Sequence, residues 1–197
     1  MEKKKIAITG GIGSGKSEVS KIIKSLGYEV FSCDEINAEL LKKRKVLKQL
    51  KALFPTTVKG FFRPKLDKKA LSSVVFSDKS ALEDLNGLLH PLIMETLLSK
   101  MEKANTKAVF SEVPLLFEEG YHDLFDSVIV VKRDKEERIK SVMKRSNLTE
   151  EEVIRRINNQ IDYDKLDFKG LNIIINDSDI DTLKENTKRT VGLILGE

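Results

Sequence analysis

The sequence predicts an α/β domain built on a five-stranded parallel sheet flanked by helices. Three features point there. Short apolar runs rich in Val and Ile alternate with segments of helical spacing, the pattern that places crossover helices between parallel strands. The first run ends in a glycine cluster that opens directly into a helix. The chain is 197 residues long, 40% hydrophobic and 34% charged, which suits one globular domain and excludes a fibrous or disordered one.

In chain order, Lys5–Thr9 (KIAIT) reads as a buried strand. Ser17–Leu26 follows as a helix with Val19, Ile22, Ile23 and Leu26 on one face, and Gly27 closes it. Tyr28–Phe31 is a second strand. From Glu35 to Asn105 the pattern changes. That stretch is rich in Leu and Lys, helical in spacing, and broken at Pro55, at Lys59–Pro64 (KGFFRP) and at His90-Pro91, with no strand expected in it. It reads as a helical, substrate-facing insertion over about 35–106, within a single domain whose core is 1–34 and 107–197. Strands resume at Lys107–Glu112, stopped by Pro114, and at Ser127–Val131. Glu136–Arg145 is a helix. Thr149 with Glu152 makes a capping box for Glu150–Ile161, whose Val153, Ile154, Ile157 and Ile161 form one apolar face. Leu171–Asn176 is the last strand, and Ser178 with Asp181 caps a closing helix.

Composition narrows the function classes. Lys plus Arg number 35 against 31 Asp plus Glu, and the two signs are mixed along the chain, so no basic nucleic-acid tail is expected. Cys33 is the only cysteine, which excludes an intrachain disulfide and a cysteine-based zinc site. With His90 and His122 the only histidines, a metal would be held by oxygen ligands, which suits Mg²⁺. The basic start, Met1–Lys5, precedes an apolar run too short for a signal peptide, and no run approaches the length of a membrane helix. A cytoplasmic protein with small-molecule partners, and neither nucleic acid nor membrane, is expected. Nothing in the sequence specifies an oligomeric state.

The strongest signal is Gly10-Gly11-Ile12-Gly13-Ser14-Gly15-Lys16-Ser17. It fits G-x-x-x-x-G-K-[ST] at every fixed position, between an expected strand and an expected helix. Glycines let successive backbone N–H groups turn inward towards phosphate oxygens, and the helix N-terminus adds a partial positive charge. Lys16 can bridge the β and γ phosphates, and the Ser17 hydroxyl can ligate Mg²⁺. Gly11, Ile12, Gly13, Ser14, Gly15, Lys16, Ser17 and Glu18 are thus the expected nucleotide contacts. Such a loop suits a kinase, a GTPase switch or an ATPase. The guanine-reading Asn-Lys-x-Asp is absent, and Asp167–Gly170 matches D-x-x-G only by letters, far from where a switch loop belongs. A short chain with a helical insertion better suits a small-molecule kinase.

Several side chains are candidates for the transfer. Asp34 follows the second strand, near the carboxyl ends where an open parallel sheet binds ligands, and could take a proton from an attacking hydroxyl; equally, it could only start the next helix. Glu112, at the tip of an apolar strand, could hold Mg²⁺ through water or bind substrate, or be an ordinary strand-end carboxylate. Glu118, after the PLLF turn, is a further candidate. His90 is either a substrate contact or a side chain packed between helices. Arg138, Lys144, Arg145, Arg155 and Arg156 surround Ser146–Thr149, where a hairpin could close over ATP; Arg145, at the turn, is the preferred member, and the alternative is a solvated face.

With these residues in place, the chain resembles the dephospho-CoA kinase family. The resemblance spans nearly the whole chain: ITGGIGSGKS at the start, LGYEVFSCDEI around Asp34, LDKKALSSVVFSD at 66–78, LNGLLHPLI at 85–93, VPLLFE at 113–118, RINNQ with Lys165, and the terminal IIIND. It implies a P-loop kinase fold and MgATP-dependent phosphorylation of the ribose 3′-hydroxyl of dephospho-CoA, the last step of coenzyme A synthesis. It also implies a helical CoA-binding part and a lid over about 138–165. By resemblance, Asp34 matches the catalytic aspartate, Lys16 and Ser17 the phosphate and Mg²⁺ ligands, and Arg145 a lid arginine; Asn176 lies in the segment lining the adenine pocket. The chain departs from the family's habit at Glu18, often Thr, at Ser32, often an acid, and at Ser141, often Arg. A nucleoside or nucleotide kinase and a nucleotide-dependent binding module remain the rival readings.

Overall fold

The computed structural model describes residues 3–60, 62–163, 165–166 and 170–197. Asp167, Phe168 and Lys169 of the D-x-x-G letters, and Phe61 of KGFFRP, lie outside the described residues. In chain order the elements are β1 (Lys4–Thr9), α1 (Lys16–Ser25), β2 (Glu29–Ser32), α2 (Cys33–Leu40), α3 (Arg44–Leu53), β3 (Val58–Lys59), β4 (Lys65–Leu66), α4 (Lys68–Ser77) and α5 (Lys79–Lys103). They continue with β5 (Ala108–Glu112), β6 (Ser127–Lys132), α6 (Lys135–Ser146), α7 (Glu150–Asn158), β7 (Asn172–Ile175) and α8 (Ile180–Leu195). The chain divides into two compact units, Met1–Phe31 with Met101–Glu197, and Ser32–Lys100.

The first unit carries the sheet, in the order β2-β5-β1-β6-β7. β1 pairs in parallel with both β5 and β6, and β6 with β7. The first strand is therefore central, which explains its unbroken apolar run: Ile6, Ala7 and Ile8 are fully buried, as are Val109 and Phe110 of β5 and Ile129 and Val130 of β6. The α1 side chains Val19, Ile22 and Ile23 and the α8 side chains Leu183 and Val191 join the same core. The register sets Ile8 beside Glu112 and Thr9 beside Val130, so the carboxyl ends of the three central strands finish beside the glycine loop. A second, smaller cluster of Ile139, Val142 and Val153 holds α6 against α7, and Ile12 of the glycine loop packs into it.

Three expectations meet a difference, two of them in the second unit. The stretch expected to lack strands contains the antiparallel pair β3–β4, with Val58 opposite Leu66. Buried Val58 anchors this hairpin, and an ion pair of 2.6 Å between Lys59 and Asp67 ties it to the start of α4, which Asp67 caps. Within the break expected at Lys59–Pro64, Lys59 ends β3, and the described residues Gly60 and Phe62–Pro64 lie between β3 and β4. His90-Pro91 does not break the helix: α5 runs through Pro91. Leu89, Ile93 and Leu97, spaced one turn apart, are all buried, so one apolar face continues across the proline and outweighs the lost hydrogen bond. In the first unit the cap of α8 is Asp179, one residue later than Ser178, because its carboxylate accepts from the Asp181 and Thr182 N–H groups.

Candidate active site

The glycine loop is shaped by backbone and by what presses on it. Gly15 precedes α1 with φ +96°, a left-handed conformation costly for any residue with a Cβ, and the Asn176 amide occupies the space a Cβ would need. α1 has no side-chain N-cap; the Gly15 carbonyl accepts from the Glu18 and Val19 N–H groups at 2.9 and 3.2 Å, and no side-chain oxygen covers the start of the helix. The Lys16 ammonium donates to the carbonyls of Gly10 and Gly11, at 2.8 and 3.1 Å, and so lies over the start of its own loop. Asn176 is buried, and its Nδ2 donates to the Ser14 carbonyl at 2.9 Å. The Ser14 hydroxyl is also buried and makes no hydrogen bond among the described residues. A glycine turn leading into a helix N-terminus, with a lysine over it, is the arrangement that binds polyphosphates.

The carboxylates stand beside it. Ser17 Oγ donates to Glu112 Oε1 at 2.9 Å, and Ser20 Oγ donates to Glu112 Oε2 at 3.3 Å. The strand register explains this: Glu112 ends β5 level with Ile8, next to the loop that starts α1. Glu118 pairs elsewhere. Tyr163 Oη donates to its Oε2 at 3.5 Å, and the same phenol lies 3.2 Å from Thr9 Oγ1 at the end of β1. Burial pushes the Tyr163 phenol well above its ordinary range; the Thr9 hydrogen bond pulls the other way, and the Glu118 carboxylate adds to the rise.

The hairpin α6–α7 contributes more than its charges suggested. Ile12 N–H donates to Gln160 Oε1 at 2.7 Å, which pins the loop to the segment after α7. The capping box of Thr149 and Glu152 is present and starts α7, while Asn147 turns the chain at φ +51°. The cations around this turn do not act as one group. Lys144, Arg145, Arg155 and Arg156 are exposed, and Arg145 makes no hydrogen bond or ion pair among the described residues. Arg138 alone is buried, with its guanidinium against Gly11. Glu18 is exposed in the first turn of α1, where its charge favours the helix, and it pairs with Lys21 at 2.8 Å.

Asp34 and His90 belong to the second unit. Asp34 is exposed in the first turn of α2, where Ser32, not Asp34, is the N-cap. His90 is half-buried within α5. The structure thus gathers Lys16, Ser17, Asn176 and Glu112 around one loop, while Glu118 meets the Tyr163 phenol. Sequence reasoning did not single out Gln160, Tyr163, Ser20 or Thr9. Gln160 was within reach as part of RINNQ. Arg138 shares a helix face with Val142, four residues on; Arg145 lies on that face too, but two turns later, in the last turn of α6, where it is exposed.

Among the described residues no group of three or more His, Cys, Asp or Glu could hold a metal, and no helix is long and apolar enough to cross a membrane. The family model for dephospho-CoA kinase matches residues 4–182. A dephospho-CoA kinase of Thermus thermophilus is 34% identical over 191 residues, covering 97% of this chain and 92% of that protein. The solved dephospho-CoA kinase of Campylobacter jejuni superposes with a TM-score of 0.71 at 30% identity, covering 98% of this chain and 97% of that one. A shikimate kinase of Bacteroides thetaiotaomicron shares the fold alone, with a TM-score of 0.55 at 11% identity over 98% and 99% of the two chains. A five-stranded parallel sheet, a phosphate loop at its central strand and a match over nearly the full length place this P-loop kinase in the dephospho-CoA kinase family.

Proposed function

We propose that this chain transfers the γ-phosphoryl group of ATP to the ribose 3′-hydroxyl of dephospho-CoA, giving CoA and ADP. The observation that carries the proposal is the uncapped N-terminus of α1 behind its glycine loop, with Lys16 over the loop, in a chain of this family. The acceptor oxygen attacks the γ-phosphorus in line, the bond from that phosphorus to the β,γ-bridging oxygen breaks, and ADP leaves. Loop N–H groups between Gly11 and Ser17 hold the phosphates, apart from those of Ile12 and Ser14, which donate to Gln160 and to the Gly11 carbonyl. Lys16 follows the charge that develops as the γ-phosphoryl moves, and catalysis is mainly positioning and electrostatic stabilisation. Asp34 takes the hydroxyl proton; the carboxylate is exposed and makes no hydrogen bond among the described residues.

The donor set beside the loop fits Mg²⁺. The Ser17 hydroxyl and the Glu112 carboxylate are adjacent hard oxygens, and a site with so few protein ligands needs the phosphates and water to complete it. When bound, Mg²⁺ supplies charge neutralisation on the phosphoryl oxygens. Ser17 would ligate it directly and Glu112 through water, while Glu18 contributes to the first turn of α1. Asn176, bonded to Ser14, supports the nucleotide side. The unit Ser32–Lys100, with His90 and Asp34, is assigned to the acceptor together with Glu118; the hairpin over about 138–165, with Arg145, is assigned as the lid. A cytoplasmic location is part of the proposal and rests on a lone, buried cysteine.

The test is ADP release with an acceptor panel. Turnover with dephospho-CoA, and little with adenosine or AMP, is expected. Adenosine or AMP as the better acceptor would favour a nucleoside or nucleotide kinase. No acceptor-dependent release would favour a binding module.

A further inference from the structure

Arg138 is the one arginine of the hairpin turned inward, with only 5% of its surface exposed. Its guanidinium lies across Gly11: a Cβ built on that glycine would sit 3.0 Å from Nη1, 3.1 Å from Cζ and 3.5 Å from Nη2. Its backbone is equally close to the loop, since a Cβ on Gly13 would sit 2.7 Å from the Arg138 carbonyl oxygen and 2.9 Å from Val142 Cγ2. Ile139 and Val142, on either side of the same turn, are buried in the cluster that also receives Ile12. The α6 register is thus locked to the loop by packing, and the side chain is not free to leave without unpacking it.

A guanidinium keeps its charge at any working pH, and that charge counts for more when water is excluded. We propose that Arg138 is a positioning residue of the phosphate loop. It fixes the Gly11–Gly13 turn and adds, beside Lys16, a second cationic charge to the phosphate site. The proposal rests on the phosphate-loop reading above. It requires that the affinity contributed by Arg138 scale with the number of phosphates on the ligand.

The experiment measures, by calorimetry on the full chain, the Kd of adenosine, AMP, ADP and ATP for wild type, Arg138→Met, Arg138→Lys and Lys16→Ala. Arg138→Met keeps the aliphatic packing and removes the charge. It is expected to weaken ATP roughly tenfold, as for one lost charge-assisted contact, ADP less, and adenosine not at all. Arg138→Lys should recover part of the ATP affinity. Gly11→Ala is an independent probe, because its methyl displaces the guanidinium without removing it. It should weaken ATP selectively, and should do so less in the Arg138→Met background. Equal weakening of all four ligands, or unchanged ATP affinity in both Arg138 variants, overturns the proposal. If Lys16→Ala weakens ATP and Arg138→Lys and Gly11→Ala do not, the phosphate loop stands and Arg138 is merely structural. If Lys16→Ala leaves ATP affinity intact, the phosphate-loop reading fails and this inference falls with it.

Discussion

The glycine loop and the α6–α7 hairpin present polar groups to each other by different physical means. In the loop the working groups are backbone N–H donors, and their directions follow from turn geometry: the left-handed Gly15, an uncapped α1 and a lysine folded over its own carbonyls. In the hairpin they are side chains, and their directions follow from helix phase and from a small apolar cluster. A motif written in letters can specify the first kind. The second depends on how far along α6 the packing extends, and cations two turns apart on one helix face can end with opposite fates, as buried Arg138 and exposed Arg145, in the last turn, do.

The widest separation of the two regions is expected from Lys16→Ala. Removing this charge should lower kcat by about 10²–10³, the usual cost of losing one preorganised stabiliser, with the melting temperature little changed. A variant that turns over normally would mean that the loop's charge is not where the chemistry occurs. Next in size is Asn176→Ala, which strips the buried Ser14 carbonyl of its donor. It should cost roughly 1–3 kcal/mol of stability by denaturant unfolding, because a buried acceptor is left unsatisfied. A neutral result would show that the loop keeps its shape without outside support.

The hairpin should respond more weakly. Thr149→Ala breaks the capping box of α7 and should lower stability by about 1 kcal/mol. Protease nicking confined to the 147–163 segment would show that this loss is local to the hairpin. Smallest at neutral pH is Tyr163→Phe. The folded phenol titrates above its ordinary range because it is buried, so the neutral form is favoured in the folded state. Its contribution is complete below the ordinary tyrosine pKa and is lost as pH rises through the higher folded value, since the unfolded chain ionises first. Wild type should therefore lose stability on the alkaline side more steeply than Tyr163→Phe. Parallel alkaline limbs would show that burial of this phenol is not linked to folding.

The same contrast governs what was legible beforehand. The sheet was readable because β1, β5 and β6 are buried on both faces and so carry continuous apolar runs. The α7 capping box was readable because its two side chains serve each other locally. Pro91 misled because a local breaker was overruled by the packing of Leu89, Ile93 and Leu97. The β3–β4 hairpin escaped because strands of two residues have no periodicity to detect. Around the loop, Lys16 and Ser17 were fixed by motif, whereas Tyr163 reaches Thr9 across 154 residues of chain, and no local pattern encodes that contact.

The central claim is that the loop and its neighbours deliver phosphate to one hydroxyl of one acceptor. The most direct measurement is phosphorus NMR of the product formed from ATP and dephospho-CoA, with ADP quantified in the same sample. The account predicts one new phosphomonoester on the ribose 3′-oxygen for each ADP, and its loss with Lys16→Ala. ADP accompanied only by inorganic phosphate, or a phosphomonoester on another hydroxyl, would contradict it.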